Sequence, residues 1–146
     1  MPDTPSLAAI ADRLAIEDLL TRYCAAIDGK DWSLLDTVFT PDAQVDYTSS
    51  GGIKGGYPEV RAWLAKVMPH FSVCQHLVTN RDIRIDGDTA TSRAYFYNPM
   101  GQTRPDGGTQ LFFVGGWYLD RLVRTRDGWR ICERVTRQAW VDARPS

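Results

Sequence analysis

The chain has 146 residues, of which 43% are hydrophobic and 24% are charged, the usual composition of a soluble globular protein. Its net charge of −1 lacks the basic excess needed to bind a nucleic-acid backbone. The three cysteines form no CxxC pair and there are only two histidines, which argues against a disulfide framework, a zinc site and any multi-histidine metal site.

The length suits one domain, and we expect a single domain over residues 1–146 with its core at about 7–140. The first residues do not resemble a signal peptide, and no stretch approaches the ~18 apolar residues of a membrane span. We therefore expect a cytoplasmic protein that binds neither a membrane nor nucleic acid.

Three helices are predicted in the first half of the chain. The first runs from Ser6, a suitable N-cap, to about Asp28, and Gly29 is suited to end it in a left-handed conformation. Its apolar residues recur every three or four positions: Ile10, Leu14, Leu20, Cys24 and Ile27. A short helix over 32–39 follows, and a third helix begins near Pro58 with an apolar stripe that includes Trp63.

Strand patterns dominate the remainder. They cover, in chain order, residues 44–48, 75–85, 89–98, 109–124 and 129–140. Turn sequences at 86–88 and 126–128 join neighbouring strands as hairpins. The segment 99–108, rich in Gly and Pro, is predicted to be a loop that closes over a pocket. Helices followed by hairpins indicate the α+β class.

Asp28 stands at the end of the first predicted helix, where the helix dipole disfavours a carboxylate. It is either a solvated residue of the Asp-Gly-Lys-Asp segment or a carboxylate that points into a cavity and holds a histidine. Tyr23 lies a little more than one helical turn earlier and can project into the same space.

His76 begins a predicted strand and alternates with Val78 and Asn80 on one side of it. A histidine in a strand is often only a hydrogen-bonded polar residue, but imidazole is also the usual general base near neutral pH. A carboxylate bound to its other nitrogen would fix the tautomer and stabilise the imidazolium. Asp28 and His76 are therefore a candidate catalytic pair.

Two further polar residues are candidates for the same cavity. Tyr47 shares a strand face with Val45 and is either a core aromatic or a phenol that donates to a substrate oxygen. Arg137 shares its face with Ile131 and Val135, and if that face is inward it is a cavity cation that needs an anionic partner. Aromatic residues expected in the core and the substrate-binding wall are Trp63, Phe96, Phe113, Trp117 and Trp140.

Three segments stand in order along the chain: Tyr23-Cys-Ala-Ala-Ile-Asp28-Gly-Lys-Asp-Trp32, then Val45-Asp-Tyr47, then Gln75-His76. With the Gly115-Gly116 pair, they resemble the SnoaL-like, nuclear-transport-factor-like superfamily, which includes scytalone dehydratase and bile acid 7α-dehydratase. The likeness covers about residues 7–140.

The resemblance implies roles for individual residues. The family's catalytic aspartate and histidine fall on Asp28 and His76, two of its tyrosines fall on Tyr23 and Tyr47, and its late arginine falls on or next to Arg137. Scytalone dehydratase has a second histidine at about Met100, so this chain departs from that pattern there, and Met100 is expected to line the pocket.

The resemblance further implies a cone-shaped, cystatin-like α+β barrel, in which three N-terminal helices wrap a curved mixed or antiparallel sheet around an apolar pocket. It implies a homotrimer, with a dimer as the alternative, and no cofactor. We predict a lyase, a dehydratase acting on a hydrophobic polycyclic, polyketide-like or steroid-like ketone. An isomerase or cyclase would use the same proton abstraction, and a non-catalytic binding module or oxygenase small subunit shares the fold.

Overall fold

A computed structural model describes residues 4–143, in which N-terminal helices pack on a curved sheet of seven strands. The helices are α1 (Leu7–Gly29), α2 (Trp32–Leu35) and α3 (Tyr57–Val67). The strands are β1 (Phe39–Asp46), β2 (Lys54–Gly56), β3 (Val73–Cys74), β4 (Leu77–Asp86), β5 (Thr89–Thr103), β6 (Thr109–Thr125) and β7 (Gly128–Asp142). The predicted α+β class and cone fold are confirmed.

The sheet is mixed. Its order is β2-β1-β7-β6-β5-β3, with β4 also paired to β5. The β1–β7 pairing is parallel, and the other pairings are antiparallel. β1 lies second from one edge of the sheet, between β2 and β7. Helix α3, which follows β2, lies over the face that the long strands β5, β6 and β7 form.

Helix α1 buries its C-terminal half. Ser6 caps it by accepting from the Ala9 N–H at 3.1 Å, and the buried residues are Ile16, Leu19, Leu20, Tyr23, Ala26 and Ile27. Ile10 and Leu14, expected in the buried stripe, are exposed, because only the later turns pack against the core. The left-handed residue is Lys30 (φ 54°) and not Gly29, and its N–H donates to the carbonyls of the last turn.

Alternate residues of β5 and β6 face opposite sides of the sheet. The even-numbered residues of β5, from Ala90 to Met100, are buried on the inner face, under the helices. In β6 the inner residues include Phe112, Val114, Gly116, Tyr118, Asp120 and Leu122, paired across from β5. The odd-numbered residues lie on the outer face. Strand register therefore decides which side chains can reach the space beneath the helices.

Two bulges interrupt β7. Arg121 pairs with Glu133 but Leu122 pairs with Ile131, which leaves Cys132 as an extra residue. Gly116 pairs with Gln138 but Gly115 pairs with Trp140, which leaves Ala139 as a second extra residue. Each extra residue exchanges the inner and outer positions of the residues that follow it.

The predicted hairpin turns are confirmed, with Gly87 and Gly128 at positive φ. The predicted helix over 32–39 ends at Leu35. Half of the segment 99–108 is strand and not loop, because β5 continues to Thr103 and β6 starts at Thr109. The turn between them contributes nothing to the cavity wall described below. No helix within residues 4–143 is both long and apolar enough to cross a membrane.

Candidate functional site

A cavity of about 250 Å³ lies between α1, α3 and the inner face of the sheet. Its wall is mainly apolar and aromatic and includes three residues predicted from the sequence, Trp63, Phe96 and Met100. Tyr23, Tyr47 and His76 face the same cavity. Apolar walls with a few convergent polar groups are typical of small-molecule sites.

The predicted aspartate and histidine are in direct contact. Asp28 lies in the last turn of α1, and His76 lies in the link between β3 and β4. Nδ1 of His76 is 2.7 Å from Oδ1 of Asp28. The backbone N–H of His76 also donates to Oδ1 and Oδ2 of Asp28, at 3.1 and 2.9 Å. These donors offset the unfavourable position of a carboxylate at a helix C-terminus.

The contacts of this pair favour an ionised Asp28 and select one tautomer of His76. Burial of Asp28 opposes ionisation, but the hydrogen bonds from the His76 side chain and backbone lower the pKa of the carboxyl. An ionised carboxylate only accepts, so Nδ1 of His76 donates its proton to Asp28, and in this tautomer the lone pair lies on Nε2. Because His76 lines the cavity, Nε2 is the nitrogen available to a bound ligand.

Cys74 is the third member of this cluster. Its Sγ is 3.3 Å from Oδ1 of Asp28 and 3.6 Å from Nδ1 of His76. Burial and the hydrogen bond to Asp28 raise the pKa of the Cys74 thiol to about 12. At neutral pH the thiol therefore stays protonated and donates to the carboxylate.

Two phenols stand beside the histidine. The hydroxyls of Tyr23 and Tyr47 are 3.0 Å apart, and both residues are buried. The Tyr23 ring meets the His76 ring edge-on, with centroids 6.3 Å apart. Burial raises the pKa of both phenols, so both are protonated at neutral pH. One hydroxyl proton joins the two tyrosines, and the other is free to be donated to a ligand.

A buried ion pair lies behind the phenols. Arg134 donates from Nε and Nη2 to the two carboxylate oxygens of Asp120, each at 2.7 Å. Both side chains are 0% exposed. The Arg134 guanidinium carbon is 4.1 Å from the ring centre of Tyr23 and 4.2 Å from that of Tyr118. Its positive charge opposes the effect of burial on the Tyr47 pKa. A fixed cation therefore backs the aromatic wall of the cavity.

The sequence profile of the SnoaL-like domain matches residues 8–135, which is most of the chain. The chain belongs to the SnoaL-like family. A protein of Mycobacterium tuberculosis, described as uncharacterized, is 48% identical over 130 residues, 89% of this chain and 87% of that protein. This relative supports the family and carries no activity with it.

Solved structures share the fold. The Kfla4162 protein of Kribbella flavida is 27% identical, with a TM-score of 0.82 over 92% of this chain and 95% of that one. A type 2 hexachlorocyclohexane dehydrochlorinase is 19% identical, with a TM-score of 0.80 over 94% of this chain and 91% of that one. At 19% identity, the likeness to the dehydrochlorinase shows a shared fold and does not extend to its activity.

The placement of Arg137 in the cavity is wrong for this SnoaL-like chain. Arg137 is exposed on the outer face, where it lines a separate surface groove with Arg84 and Arg121. The bulge at Cys132 shifts the alternation of β7, so the strand face of Ile131 continues through Arg134 and not through Arg137.

Three of the predicted wall residues also lie outside the cavity. Phe113 and Trp117 are odd-numbered residues of β6 and occupy the outer face, opposite Pro99 and Tyr95 of β5. Trp140 follows the second bulge, and its indole covers Gly115 on the outer face, where it is 45% exposed. Their aromatic character suited a pocket wall, but strand register places them on the opposite side.

Several residues at or near the cavity are not predicted by the sequence pattern. Asp120 shares the inner face of β6 with Tyr118, and a charged residue in that apolar series was a detectable signal for a buried partner. That partner, Arg134, depends on a bulge that no periodicity reveals. Asn98 donates to the Tyr118 hydroxyl at 3.4 Å and also lines the cavity. The position of Cys74 beside Asp28 depends on the long-range approach of β3 to α1.

Proposed function

We propose that this protein is a cofactor-free lyase, a dehydratase that removes a proton next to the carbonyl of a hydrophobic cyclic ketone and expels a hydroxyl group. The observation that carries the proposal is the contact between Asp28 and His76 at the wall of an apolar cavity. An oriented imidazole beside an apolar space is suited to abstracting a proton from an activated carbon.

In the proposed reaction, Nε2 of His76 accepts the proton. Asp28 holds Nδ1–H and stabilises the imidazolium as it forms, in the way a carboxylate supports a catalytic histidine. The carboxylate needs no proton of its own, because its lowered pKa keeps it ionised near neutral pH. A positioned general base contributes typically about 10²–10⁴-fold to the rate.

The tyrosine pair serves the carbonyl end of the substrate. Tyr23 and Tyr47 share one hydrogen bond, so one hydroxyl proton remains to stabilise a developing enolate or assist the departing hydroxyl. Arg134 does not reach the cavity and is a positioning residue. Its charge, balanced by Asp120, strengthens the phenols as donors and holds the Tyr23 ring in place.

The cavity limits the substrate. Its volume of about 250 Å³ is slightly below the usual range for ligand pockets, which favours compact ring compounds of polyketide type over larger steroid-like ketones. The walls are apolar, and ionic groups lie behind them. These features support an uncharged substrate activated by its own carbonyl.

Two alternatives remain distinguishable. An isomerase or cyclase would use the same His76 and tyrosines but lose no water, so the mass of the product separates it from a dehydratase. A non-catalytic binding module or oxygenase small subunit is favoured by one observation, an aromatic patch on the outer face. This outer patch consists of Tyr95, Tyr97, Phe113, Trp117 and Trp140.

The outer patch also supports a homo-oligomer, which we propose as part of the same function. Tyr95, Tyr97 and Trp140 are each more than 40% exposed, and Arg93 lies 5.3 Å from the Trp117 ring. Tyrosine, tryptophan and arginine are the residues enriched at the centres of protein interfaces. A trimer, as the resemblance implies, is compatible with a cavity that lies on the opposite side of the sheet. All three cysteines are free, which is compatible with the proposed cytoplasmic location.

The deciding experiment compares the wild-type protein with His76→Ala on a panel of hydroxylated cyclic ketones. Ultraviolet absorbance follows new conjugation, and mass spectrometry follows loss of water. We expect turnover by the wild type and at least a hundredfold loss in His76→Ala.

The matched control is His70→Ala, since His70 is the other histidine of the chain and is exposed outside the cavity. It should retain wild-type turnover. Equal turnover by His76→Ala and the wild type would show that His76 is not the base. Conversion without loss of water would replace the dehydratase with an isomerase or cyclase.

A further inference from the structure

Cys74, Asp28 and His76 form a cluster of three metal-ligating side chains at the cavity edge. Their closest ligand atoms are Oδ1 of Asp28 and Nδ1 of His76 at 2.7 Å, with Sγ of Cys74 3.3 Å from the first and 3.6 Å from the second. The three atoms thus outline a compact triangle of one oxygen, one nitrogen and one sulfur.

That triangle is close to one face of a tetrahedral zinc site. With Zn–S near 2.3 Å, Zn–N near 2.0 Å and Zn–O near 2.1 Å, tetrahedral angles place sulfur about 3.6 Å from the other two ligands and nitrogen about 3.4 Å from oxygen. Both sulfur distances are already within about 0.3 Å of these values. Only the Asp28–His76 distance has to open, by about 0.7 Å.

We propose that Asp28, Cys74 and His76 form a binding site for a thiophilic divalent cation, Zn²⁺ or Cd²⁺, that competes with the hydrogen bond between Asp28 and His76. Thiolate and imidazole ligands select such ions over Mg²⁺ and Ca²⁺, and the carboxylate adds negative charge. The Asp28 side chain is 27% exposed, so the cluster is open on one side and a fourth position is left for water.

Cation binding changes the protonation of Cys74 and the tautomer of His76. The cation displaces the proton of the Cys74 thiol, which now donates to Asp28, and that proton passes to solvent. The neutral ring of His76 binds through Nδ1 and moves its remaining proton to Nε2. The absence of a CxxC pair argued against a zinc site in the sequence. The proposed ligands are instead a Cys-x-His segment and an aspartate 46 residues before the cysteine, which only the fold brings together.

The consequence for the proposed function is inhibition. When Nδ1 is bound to a cation and Nε2 carries the proton, His76 has no lone pair with which to take a proton from a substrate. This consequence rests on the proposed lyase function, whereas cation binding itself does not. A direct binding measurement therefore separates failure of this inference from failure of the proposed activity.

The test is a Cd²⁺ titration of the full-length protein after treatment with a chelator, followed by the ultraviolet thiolate-to-metal charge-transfer band. We expect the band to saturate at one equivalent in the wild type and to disappear in Cys74→Ser. Asp28→Asn should keep the band but bind at least tenfold more weakly, because it loses one anionic ligand.

The other two cysteines provide matched controls. Cys24→Ser and Cys132→Ser should keep the band and the one-equivalent endpoint, since neither residue belongs to the cluster. Circular dichroism of each variant verifies that it is folded. Absence of the band in the wild type, an unchanged band in Cys74→Ser, or loss of the band only in Cys132→Ser would each overturn the proposal.

Discussion

The inner and outer faces of strands β5 to β7 are made from alternate residues of the same strands, yet the inner face holds a buried ion pair and the outer face an exposed one. On the inner face, Asp120 and Arg134 are fully buried and joined by two hydrogen bonds of 2.7 Å. On the outer face, Arg121 and Glu133 are exposed and 3.8 Å apart. The inner pair is shielded from water, so each charge depends on the other for its stabilisation. The outer charges are solvated, so either can be removed with little effect on stability.

The largest expected effect comes from breaking the inner ion pair. Asp120→Asn leaves Arg134 charged, buried and without a counter-ion, which should lower the free energy of unfolding by about 3–5 kcal/mol. Urea denaturation measures this loss. Glu133→Gln is the matched change on the outer face and should stay within about 0.5 kcal/mol of the wild type. Equal losses in the two variants would show that the inner face is not dry.

A smaller difference is expected between the two adjacent glycines of β6. A methyl group at Gly116 would overlap backbone atoms of Arg137 and Gln138 and approach the Phe96 ring, whereas the nearest atoms to one at Gly115 belong to the indole of Trp140. Backbone cannot move aside as an exposed side chain can. Gly116→Ala should therefore cost about 1–3 kcal/mol, the usual range for overpacking, and Gly115→Ala clearly less. Thermal unfolding of both variants measures the two losses of stability. We expect the loss to be larger for Gly116→Ala, on the inner face, than for Gly115→Ala, on the outer face.

The smallest effect should appear only in association. Trp140→Ala removes an exposed ring of the outer patch. Truncation of an aromatic side chain at the centre of an interface typically costs more than about 1 kcal/mol of association free energy. Sedimentation analysis at several protein concentrations should show dissociation at higher concentration than for the wild type. Leu7→Ala is a control, since Leu7 is exposed on α1 away from the patch. An unchanged assembly state in Trp140→Ala would remove the outer patch from the proposed interface.

The sequence predicted the parts that depend on local patterns. Helix periodicity, hairpin turns and the order of elements gave the α+β class, and the motif around Tyr23 and Asp28 led to the cavity. Asp28 and His76 were expected to meet, and they lie in hydrogen-bond contact. Their roles in catalysis stay predictions.

The errors have a common physical origin. Arg137 was assigned by counting alternate residues along β7, and the bulge at Cys132 changes that count by one. Trp140 was assigned by its aromatic character. Phe113 and Trp117 were grouped with Phe96 by chemical character, although cross-strand pairing puts Phe96 opposite Gly116. A bulge is set by contacts between distant segments, here the packing of β1 and β6 on either side of β7, so a single strand does not reveal it.

The extra residue at Cys132 gives this chain an unusual route to new chemistry. If the extra residue were paired instead of bulged, simple alternation would place Glu133, Val135 and Arg137 on the inner face in place of Arg134 and Thr136. Deletion of Cys132 would instead leave Arg134 and Thr136 on the inner face. Whether one added residue is bulged or paired therefore changes the wall behind the phenols without any substitution. Divergence among proteins of this architecture can therefore proceed by short insertions and deletions in a strand, a kind of mutation that comparison of aligned residue types alone overlooks.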